Sequence, residues 1–394
     1  MSDIYDLVII GGGLAGLSAS ARAEELGARV ALVDAAIPGT PGALGGFAPF
    51  SGAKFSLAPA GSGLAPLVGG RGALIERYRE CCMDFAALGF HEFALDEREL
   101  AGDESDMGDA LAYRSYHSVL LSPSRIDELL LAMGARLRTT DIVRDKVQKI
   151  IAPQKMARAA ILSDGRRITG RSLVLAAGRL GADLLRAASV PEKRGKGIDV
   201  GVRLGFDSLE PLAPLRALGP DAKMMSSGVR TFCLNSPGQI FHYPGLGYEI
   251  PGGIVAPDGW LESNVGILCR LDDREAVLAH FARRAPLEAM PLVQQGSGTK
   301  LGWTDESIDM FTPEIVARID QFVEQLANAG FFAPPSHYDV HLPLLDWHWP
   351  VFSLPGRLET GVEGVFAAGD VSGHARGLLQ AVVMGRLAVE EALR

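Results

Sequence analysis

The chain has 394 residues, more than the roughly 250–300 at which a single hydrophobic core stops growing, so we expect two domains. Hydrophobic residues make up 47% of it and charged residues 22%, a composition typical of globular proteins that build a core without metals or disulfides. The formal net charge of −9 argues against a nucleic-acid or anionic-membrane surface and leaves a small molecule as the expected partner.

The amino terminus and the cysteines indicate a cytoplasmic location. Residues 1–10 lack the basic region of a signal peptide and run directly into a strand pattern. No apolar stretch reaches the roughly 18 residues that span a bilayer. The cysteines form no CxxC pair and have no zinc-like spacing, which suits a reducing compartment: Cys81, Cys82, Cys233 and Cys269.

The first elements predict a βαβ unit. Residues 7–10 are a fully apolar run typical of a buried parallel strand, residues 14–26 have apolar positions at helical spacing, and residues 29–33 form a second buried run. Three such elements within about 30 residues predict two parallel strands joined by a right-handed crossover.

A GxGxxG motif at residues 11–16 lies where this first strand meets the helix. Gly11 permits a tight turn, Gly13 lets the backbone approach a pyrophosphate, and Gly16 allows the helix to pack closely on the strand. The amino end of the helix offers unpaired N–H groups and partial positive charge to the phosphates. Asp34 ends the second strand, where a carboxylate can accept from ribose hydroxyls. The motif predicts a dinucleotide but does not separate FAD from NAD.

Residues 38–72 are predicted to form a long loop, because they are rich in Gly, Pro, Ala and Ser and have no long periodic segment. A loop of that length in a compact domain is usually functional. Helices are expected over residues 73–88 and 124–133, and Ser122 or Ser124 can cap the second one.

The rest of the chain predicts a second domain and a return to the first. Residues 136–174 alternate in the manner of a meander, with an Asp-Gly hairpin turn at residues 164–165. Strand-like runs and helices between about 190 and 350 predict a mixed α+β domain. A strand over residues 364–368 and a helix over 377–393 then rejoin the first domain.

The predicted fold class is therefore α/β, a Rossmann-type nucleotide-binding domain with a second mixed α+β domain. We expect the first domain to comprise residues 1–75, 125–190 and 352–394, and a substrate or cap domain to comprise residues 76–124 and 191–351. The nucleotide-binding domain is thus assembled from pieces distant in sequence.

A second motif follows the strand over residues 364–368, which ends in Gly369-Asp370 and is followed by Gly377 at the start of a helix. An Asp at the carboxyl end of a strand can bind the ribityl chain of FAD, and the helix amino end can face negative charge on the reduced flavin. The alternative is an ordinary cap or turn residue. Because the GxGxxG motif belongs to the same expected architecture, the second motif favours FAD over NAD.

The two motifs, with LVLAAG at residues 173–178 between them, resemble the FAD-binding pattern of the glutathione-reductase-type and hydroxybenzoate-hydroxylase-type flavoprotein superfamily. Three shorter segments are similar to signatures of bacterial FAD-dependent dehydrogenases: GGFAPFSGAK at 45–54, VRTFC at 229–233 and GDVSGHARG at 369–377. The resemblance implies a glutathione-reductase-like fold, non-covalent FAD and an oxidoreductase.

The FAD contacts that the motifs imply fall on one set of positions: Gly11, Gly13, Leu14, Ala15, Gly16, Asp34, Gly45, Gly46, Phe47, Ser51, Val143, Ala177, Gly178, Gly369, Asp370, Gly377, Leu378 and Leu379. The backbone of Val143 is implied to meet the adenine. Asp34 departs from the superfamily's usual Glu and reaches less far toward the ribose.

A second GxGxxG near the middle of the chain, which marks superfamily members reduced through a dedicated NAD(P)H domain, is absent from this sequence. A cysteine pair for disulfide chemistry is absent too. The electron donor is therefore expected to be the substrate itself, or NAD(P)H or a redox partner protein that docks transiently.

Three residues are candidates for catalysis: Lys54, His374 and His348. Lys54 could place a positive charge beside the flavin, or could be a solvated loop lysine. His374 could act as a general acid or base, since histidine titrates near neutral pH, or could hydrogen-bond backbone in a tight turn. Its neighbour Arg376 could hold an acidic substrate group or a phosphate.

His348 lies between Trp347 and Trp349, where aromatic side chains either wall a flat substrate site or belong to the core. The expected function is an FAD-dependent oxidoreductase that acts on a small organic molecule by hydride transfer at flavin N5. The alternatives are a flavin-dependent monooxygenase and a non-redox flavoprotein such as an isomerase or cyclase.

Overall fold

A computed structural model describes residues 4–35, 44–101, 111–114, 117–153, 157–195, 197–374 and 376–394. Residues 38–43 of the predicted loop lie outside these ranges. Within the described ranges, no helix combines the length and apolarity that crossing a bilayer requires.

The strands, in chain order, are β1 (Tyr5–Ile10), β2 (Val30–Asp34), β3 (Lys54–Ser56), β4 (Ala112–Arg114), β5 (Ser118–Leu120), β6 (Asp141–Arg144), β7 (Val147–Ile151), β8 (Arg158–Leu162), β9 (Arg167–Leu175), β10 (Glu192–Lys193), β11 (Ile198–Phe206), β12 (Lys223–Ser226), β13 (Val229–Asn235), β14 (Gly238–Gly245), β15 (Tyr248–Val255), β16 (Ser263–Leu271), β17 (Leu292–Gly296), β18 (Tyr338–Asp346), β19 (Val351–Phe352) and β20 (Val365–Ala367).

The helices are α1 (Leu14–Glu25), α2 (Ala65–Val68), α3 (Arg71–Ala87), α4 (Glu97–Ala101), α5 (Pro123–Arg136), α6 (Ala182–Ala187), α7 (Ala213–Ala217), α8 (Arg274–Arg284), α9 (Asp305–Phe311), α10 (Pro313–Asn328) and α11 (Leu378–Ala392). Short 3-10 turns cover Ala48–Phe50, Ser62–Leu64, His91–Phe93, Arg179–Gly181, Glu210–Leu212 and Gly369–Ser372.

The first sheet has a parallel part in the order β6-β2-β1-β9-β20. β7 and β8 add an antiparallel meander on the early half of β9, and the Asp-Gly turn joins β8 to β9 as predicted. Ile9 is paired with Leu32 on one side and Val174 on the other, and all three are fully buried. Burial on both faces explains why these strands read as continuous apolar runs. The predicted Rossmann-type fold class is confirmed.

Helices α1 and α11 cover one face of this sheet and cross at very short range. A Cβ added at Gly385 would lie 2.1 Å from Ala15 O, so only glycine permits this approach. Ser18 Oγ donates to Val382 O at 2.9 Å across the same contact. Helix α11 buries Leu379, Val382 and Val383. Burial of each such side chain contributes about 1.5–3 kcal/mol to the stability of the fold. The last helix is thereby fixed against the first.

The second sheet is antiparallel, in the order β17-β18-β11-β16-β13-β12-β4. Helix α10 packs on it with Phe322, Val323 and Leu326, whose spacing puts them on one helical face. β14 and β15 form a separate hairpin. The elements after residue 190 are thus of the mixed type expected.

The stretch predicted as one long loop is more structured than its composition suggests. Residues 44–72 contain β3, two 3-10 turns and the short helix α2, and Phe55 of β3 is paired with Val119 of β5. Elements of three or four residues are too short to show a period in sequence, so that prediction was wrong there.

The predicted domain boundaries remain a prediction. Helix α3, most of which falls in the predicted cap domain, buries Leu74, Tyr78 and Phe85 in the same core as α1 and α11.

Candidate functional site

The GxGxxG loop has the local geometry that its glycines predict. Gly11 has φ +104°, and a Cβ there would lie 2.6 Å from Ala176 O. A Cβ at Gly16 would lie 1.8 Å from Gly11 O, because α1 packs directly on the turn. At Gly13, in contrast, the nearest atom to an added Cβ is Gly45 O at 3.8 Å. The protein itself does not require glycine at this position, which leaves room for a ligand.

A second glycine pair lies across this loop. Gly45 N donates to Gly12 O at 2.7 Å, and a Cβ at Gly46 would lie 3.1 Å from the Cα of Gly13. Two stretches of bare backbone therefore face each other at the amino end of α1, which has no side-chain cap. Uncapped first-turn N–H groups beside glycine backbone are a site for phosphate oxygens.

Asp34 lies at the end of β2, beside the same loop. Its Oδ2 accepts from Gly12 N at 2.6 Å, and its Oδ1 lies 3.5 Å from Arg144 Nη1. Val143 is paired with Val33, so it lies next to the last residue of β6 at the same edge of the sheet. Sequence reasoning missed Arg144, although the parallel alignment of β2 and β6 is what brings it to the carboxylate.

The carboxyl ends of β9 and β20 bring the other motifs to this edge. Ala177 and Gly178 follow β9, and a Cβ at Gly369 would lie 3.2 Å from the Cβ of Ala15 on α1. Asp370 Oδ2 lies 3.5 Å from Arg179 Nε, an ion pair that sequence reasoning missed. Segments more than 350 positions apart thus meet at one point.

The amino end of α11 holds an unsatisfied buried acceptor. A Cβ at Gly377, which has φ +119°, would lie 2.0 Å from Gln380 Oε1. Gln380 Nε2 donates to Ser56 O at 2.9 Å and to the hydroxyl of Tyr78 at 2.8 Å, while Oε1 has no hydrogen-bond partner among the described residues. A buried acceptor with no donor carries an energetic cost that a ligand N–H would remove. Leu378 and Leu379 form the first turn beside it.

The glycine loop continues through Phe47 and Ser51 to Lys54. Phe47 is 59% exposed. The Ser51 hydroxyl donates to Ala48 O at 2.7 Å and accepts from Ala53 N at 3.0 Å, so it stabilises its own turn.

Lys54 is not a solvated loop lysine, since its side chain is 8% exposed. Its Nζ donates to Leu234 O and to Asn235 Oδ1, the latter at 3.2 Å, and lies 3.9 Å from Asp221 Oδ1. The ammonium group is therefore fixed against the end of β13 in the second sheet.

The two candidate histidines differ in their surroundings. His374 Nε2 lies 2.8 Å from Phe352 O, the backbone contact that the sequence left open as an alternative. Burial, followed by the charge of Arg179, lowers the pKa of His348 to about 4, so its ring is neutral at pH 7. The backbone around His348 is held by Arg274, whose Nη2 donates to His348 O at 2.9 Å and to Trp349 O at 3.1 Å.

A buried ion network, not predicted from the sequence, faces this region from the second sheet. Asp199 is fully buried and its Oδ2 accepts from Arg230 Nη2 at 2.6 Å and from Arg270 Nη2 at 3.1 Å. Asp346 lies opposite Asp199 on the neighbouring strand, and its Oδ1 accepts from Arg376 Nη1. Burial alone would raise the pKa of Asp346, but Arg376 and Arg230 hold it below its ordinary value. Single-sequence patterns do not show cross-strand partners of this kind.

Cys233 lies on an irregular part of β13, with φ +47°. Burial alone would raise the pKa of this thiol, but Lys54 and Arg203 lower it below its ordinary value. Arg203, 1% exposed, donates to Cys233 O at 3.3 Å and to Asn264 Oδ1 at 2.7 Å. Cys233 is therefore in an electropositive environment.

Residues 6–54 match the family described as the FAD binding domain. Among curated proteins, none matches this sequence. Solved structures that resemble the chain include a flavoprotein/dehydrogenase from Cytophaga hutchinsonii (12% identity, TM-score 0.46, covering 98% of this chain and 78% of that one). Another is glycine oxidase from Geobacillus kaustophilus (13% identity, TM-score 0.42, covering 99% and 95%). A third is a geranylgeranyl bacteriochlorophyll reductase-like protein from Thermoplasma acidophilum (12% identity, TM-score 0.42, covering 99% and 78%).

These structural likenesses are too distant to assign an activity. The family match covers α1, β2 and all but the first residue of β1, and it includes the glycine loop described above. The space at Gly13 and the unsatisfied Gln380 Oε1 fit a bound dinucleotide. The sequence prediction of the cofactor is confirmed: the glycine loop belongs to an FAD binding domain, and FAD is the cofactor.

Proposed function

We propose that the protein is an FAD-dependent oxidoreductase that transfers a hydride between a small organic molecule and flavin N5. The observation that carries the proposal is the convergence of the glycine loop, the Gly369-Asp370 turn and the amino end of α11 at one edge of the parallel sheet. Ligands of open α/β sheets bind at the carboxyl ends of the strands. FAD supplies the hydride chemistry when bound, and the chain must orient it, exclude water and manage one proton.

The proposed FAD-binding set is the one predicted from the motifs. The backbone of Gly13 and the first turn of α1 would hold the pyrophosphate, since this is where uncapped N–H groups meet open space. Asp34 and the backbone of Val143 would hold the adenosine half. Asp370 would bind the ribityl hydroxyls. Gln380, which sequence reasoning missed, would accept from a ligand N–H at the amino end of α11.

On the substrate side, Phe232 of the second sheet and Trp349, which follows β18, lie beside Arg376. Arg376 Cζ lies 5.7 Å from the ring centroid of Phe232 and 4.6 Å from that of Trp349, which supports a flat, partly aromatic pocket next to α11. Lys54 would place a fixed positive charge near the flavin ring. His348 is neutral at pH 7 and would accept a proton only weakly, so His374 remains the better candidate for proton transfer.

The test begins with the purified full-length protein. We expect a yellow protein that releases intact FAD on denaturation, with Asp370→Ala reducing FAD affinity and Asp183→Ala, on the exposed side of α6, leaving it unchanged. A colourless protein that takes up no added FAD would overturn the proposal.

The reaction type is tested separately, by anaerobic mixing of the reduced holoenzyme with candidate acceptors and then with O₂. Hydride transfer predicts direct reoxidation by an organic acceptor. An oxygenated flavin intermediate would indicate a monooxygenase, and turnover without any donor or acceptor would indicate a non-redox enzyme. NAD(P)H and redox proteins are compared as donors in the same assay.

A further inference from the structure

Two arginines, Arg179 and Arg376, stack on the ring of Trp349, and Arg376 is linked through shared buried carboxylates to two more. We call Arg179, Arg230, Arg270 and Arg376 the arginine cluster. Arg179 Cζ lies 3.8 Å from the centroid of the Trp349 ring and Arg376 Cζ lies 4.6 Å from it. Arg179 follows β9 and Arg376 precedes α11, so two loops of the first sheet direct guanidinium groups at the indole of Trp349, which lies between β18 and β19.

The carboxylates near this cluster are already shared. Asp199 accepts from Arg230 and Arg270, and Arg230 also lies 3.6 Å from Asp346, which accepts from Arg376. Two buried carboxylates thus serve three guanidinium groups. These interactions fix the guanidinium groups of Arg376 and Arg230 in place.

Arg179 is the member of the cluster whose guanidinium group is most available to a ligand. Its one carboxylate contact among the described residues is with Asp370, at 3.5 Å and without a hydrogen bond. Its side chain is 27% exposed. A guanidinium group stacked on an indole is held in a defined orientation while its N–H donors stay available.

The indole N–H of Trp349 is a further hydrogen-bond donor without an acceptor among the described residues. The residue is 6% exposed. A buried indole N–H normally has a hydrogen-bond partner. The unsatisfied indole N–H and the guanidinium groups of Arg179 and Arg376 lie at the same ring, and an oxyanion could accept from the N–H and pair with the charges.

We propose that the arginine cluster binds the carboxylate of an acidic substrate, with Arg179 as the main charged contact and Trp349 as the flat face and N–H donor. This proposal rests on the proposed function and specifies its substrate class. A phosphate of FAD has the same oxyanion chemistry, so the experiment must separate the two sources.

The experiment titrates the FAD-loaded protein with acetate, benzoate and succinate, using calorimetry and the visible flavin spectrum, with benzamide as the neutral counterpart of benzoate. We expect at least one carboxylate to bind and to perturb the spectrum, and benzamide to bind at least about tenfold more weakly than benzoate. Arg179→Met should weaken carboxylate binding about tenfold with FAD content unchanged, and Arg179→Lys should weaken it less. Arg186→Met, which alters an exposed arginine on α6, should change nothing.

Three results would overturn the proposal. One is calorimetry that detects none of the three carboxylates, and a second is equal binding of benzoate and benzamide. The third is loss of FAD from Arg179→Met with unchanged carboxylate affinity, which would assign Arg179 to a cofactor phosphate. Failure of the parent protein to hold FAD would instead contradict the proposed function, and calorimetry with the FAD-free protein would still test the carboxylate site.

Discussion

Arg376 donates to the buried carboxylate of Asp346 and so joins the loop before α11 to the last residue of β18. This ion pair connects the element that would face the flavin to the sheet that would roof it. Breaking a buried pair by removing one partner costs about 3–5 kcal/mol, because the remaining charge is left uncompensated.

The variant Asp346→Asn should therefore lower the free energy of unfolding by about 3 kcal/mol, since Arg376 and Arg230 lose a shared carboxylate. Urea unfolding at pH 7 measures the change. The control is Asp309→Asn, whose carboxylate is exposed and pairs with Arg284 at the surface. An equally small loss of unfolding free energy in the two variants would contradict a structural role for the Asp346 ion pair.

Gly13 and Gly16 should respond oppositely to alanine. At Gly13 a methyl group meets nothing closer than 3.8 Å, so Gly13→Ala should fold with unchanged thermal stability but lose FAD affinity. At Gly16 the methyl would lie 1.8 Å from Gly11 O, so Gly16→Ala should unfold at lower temperature whether or not FAD is present. Thermal scans with and without added FAD distinguish the two. Unchanged FAD affinity in Gly13→Ala would remove the pyrophosphate from that position.

His348 makes stability depend on pH in a defined window. Its folded-state pKa, about 4, lies below the ordinary unfolded value of about 6.5, so the unfolded chain binds the proton more tightly. Its contribution is complete above about pH 6.5 and is lost as the pH falls toward 4, on the order of 3 kcal/mol. His348→Gln should flatten the dependence of unfolding free energy on pH between 6.5 and 4.5. An unchanged slope would show that folding does not lower the pKa of His348.

Cys233 should be the first thiol to react with iodoacetamide at pH 7, because its pKa is lowered and it is partly exposed. Burial raises the pKa of Cys82 to about 12 and that of Cys269 to about 11, so these thiols serve as internal controls. Lys54→Met should slow the reaction at Cys233 by removing a nearby cation. Peptide mass spectrometry over time measures each site, and modification of Cys269 before Cys233 would contradict the prediction.

The sequence was most informative where function and fold depend on local backbone geometry. Gly11 and Gly16 could be assigned roles because a tight turn and a close helix-strand contact each require glycine within six residues. The role of Gly369-Asp370 could be predicted for the same reason. β3 and α2 were missed, since elements of three or four residues show no period and depend on partners elsewhere, as Phe55 depends on Val119.

The charged part of the candidate site could not have been predicted. Asp199 and Asp346 are far apart in the chain and become neighbours only through the antiparallel register of β11 and β18. Arg179 and Arg376 reach Trp349 from two separate loops of the other sheet. Nothing local in the sequence marks these side chains, because burial and cross-strand pairing are properties of the assembled sheets.

The sequence by itself determined that the chain has a dinucleotide loop, a parallel sheet and FAD as cofactor, because glycine positions and apolar runs encode backbone conformation directly. The tertiary structure decided what surrounds that cofactor site. It buried Lys54 against β13, gave His374 a backbone partner, and brought Arg179 and Arg376 to one indole, since only packing brings distant charges within a few ångströms of each other.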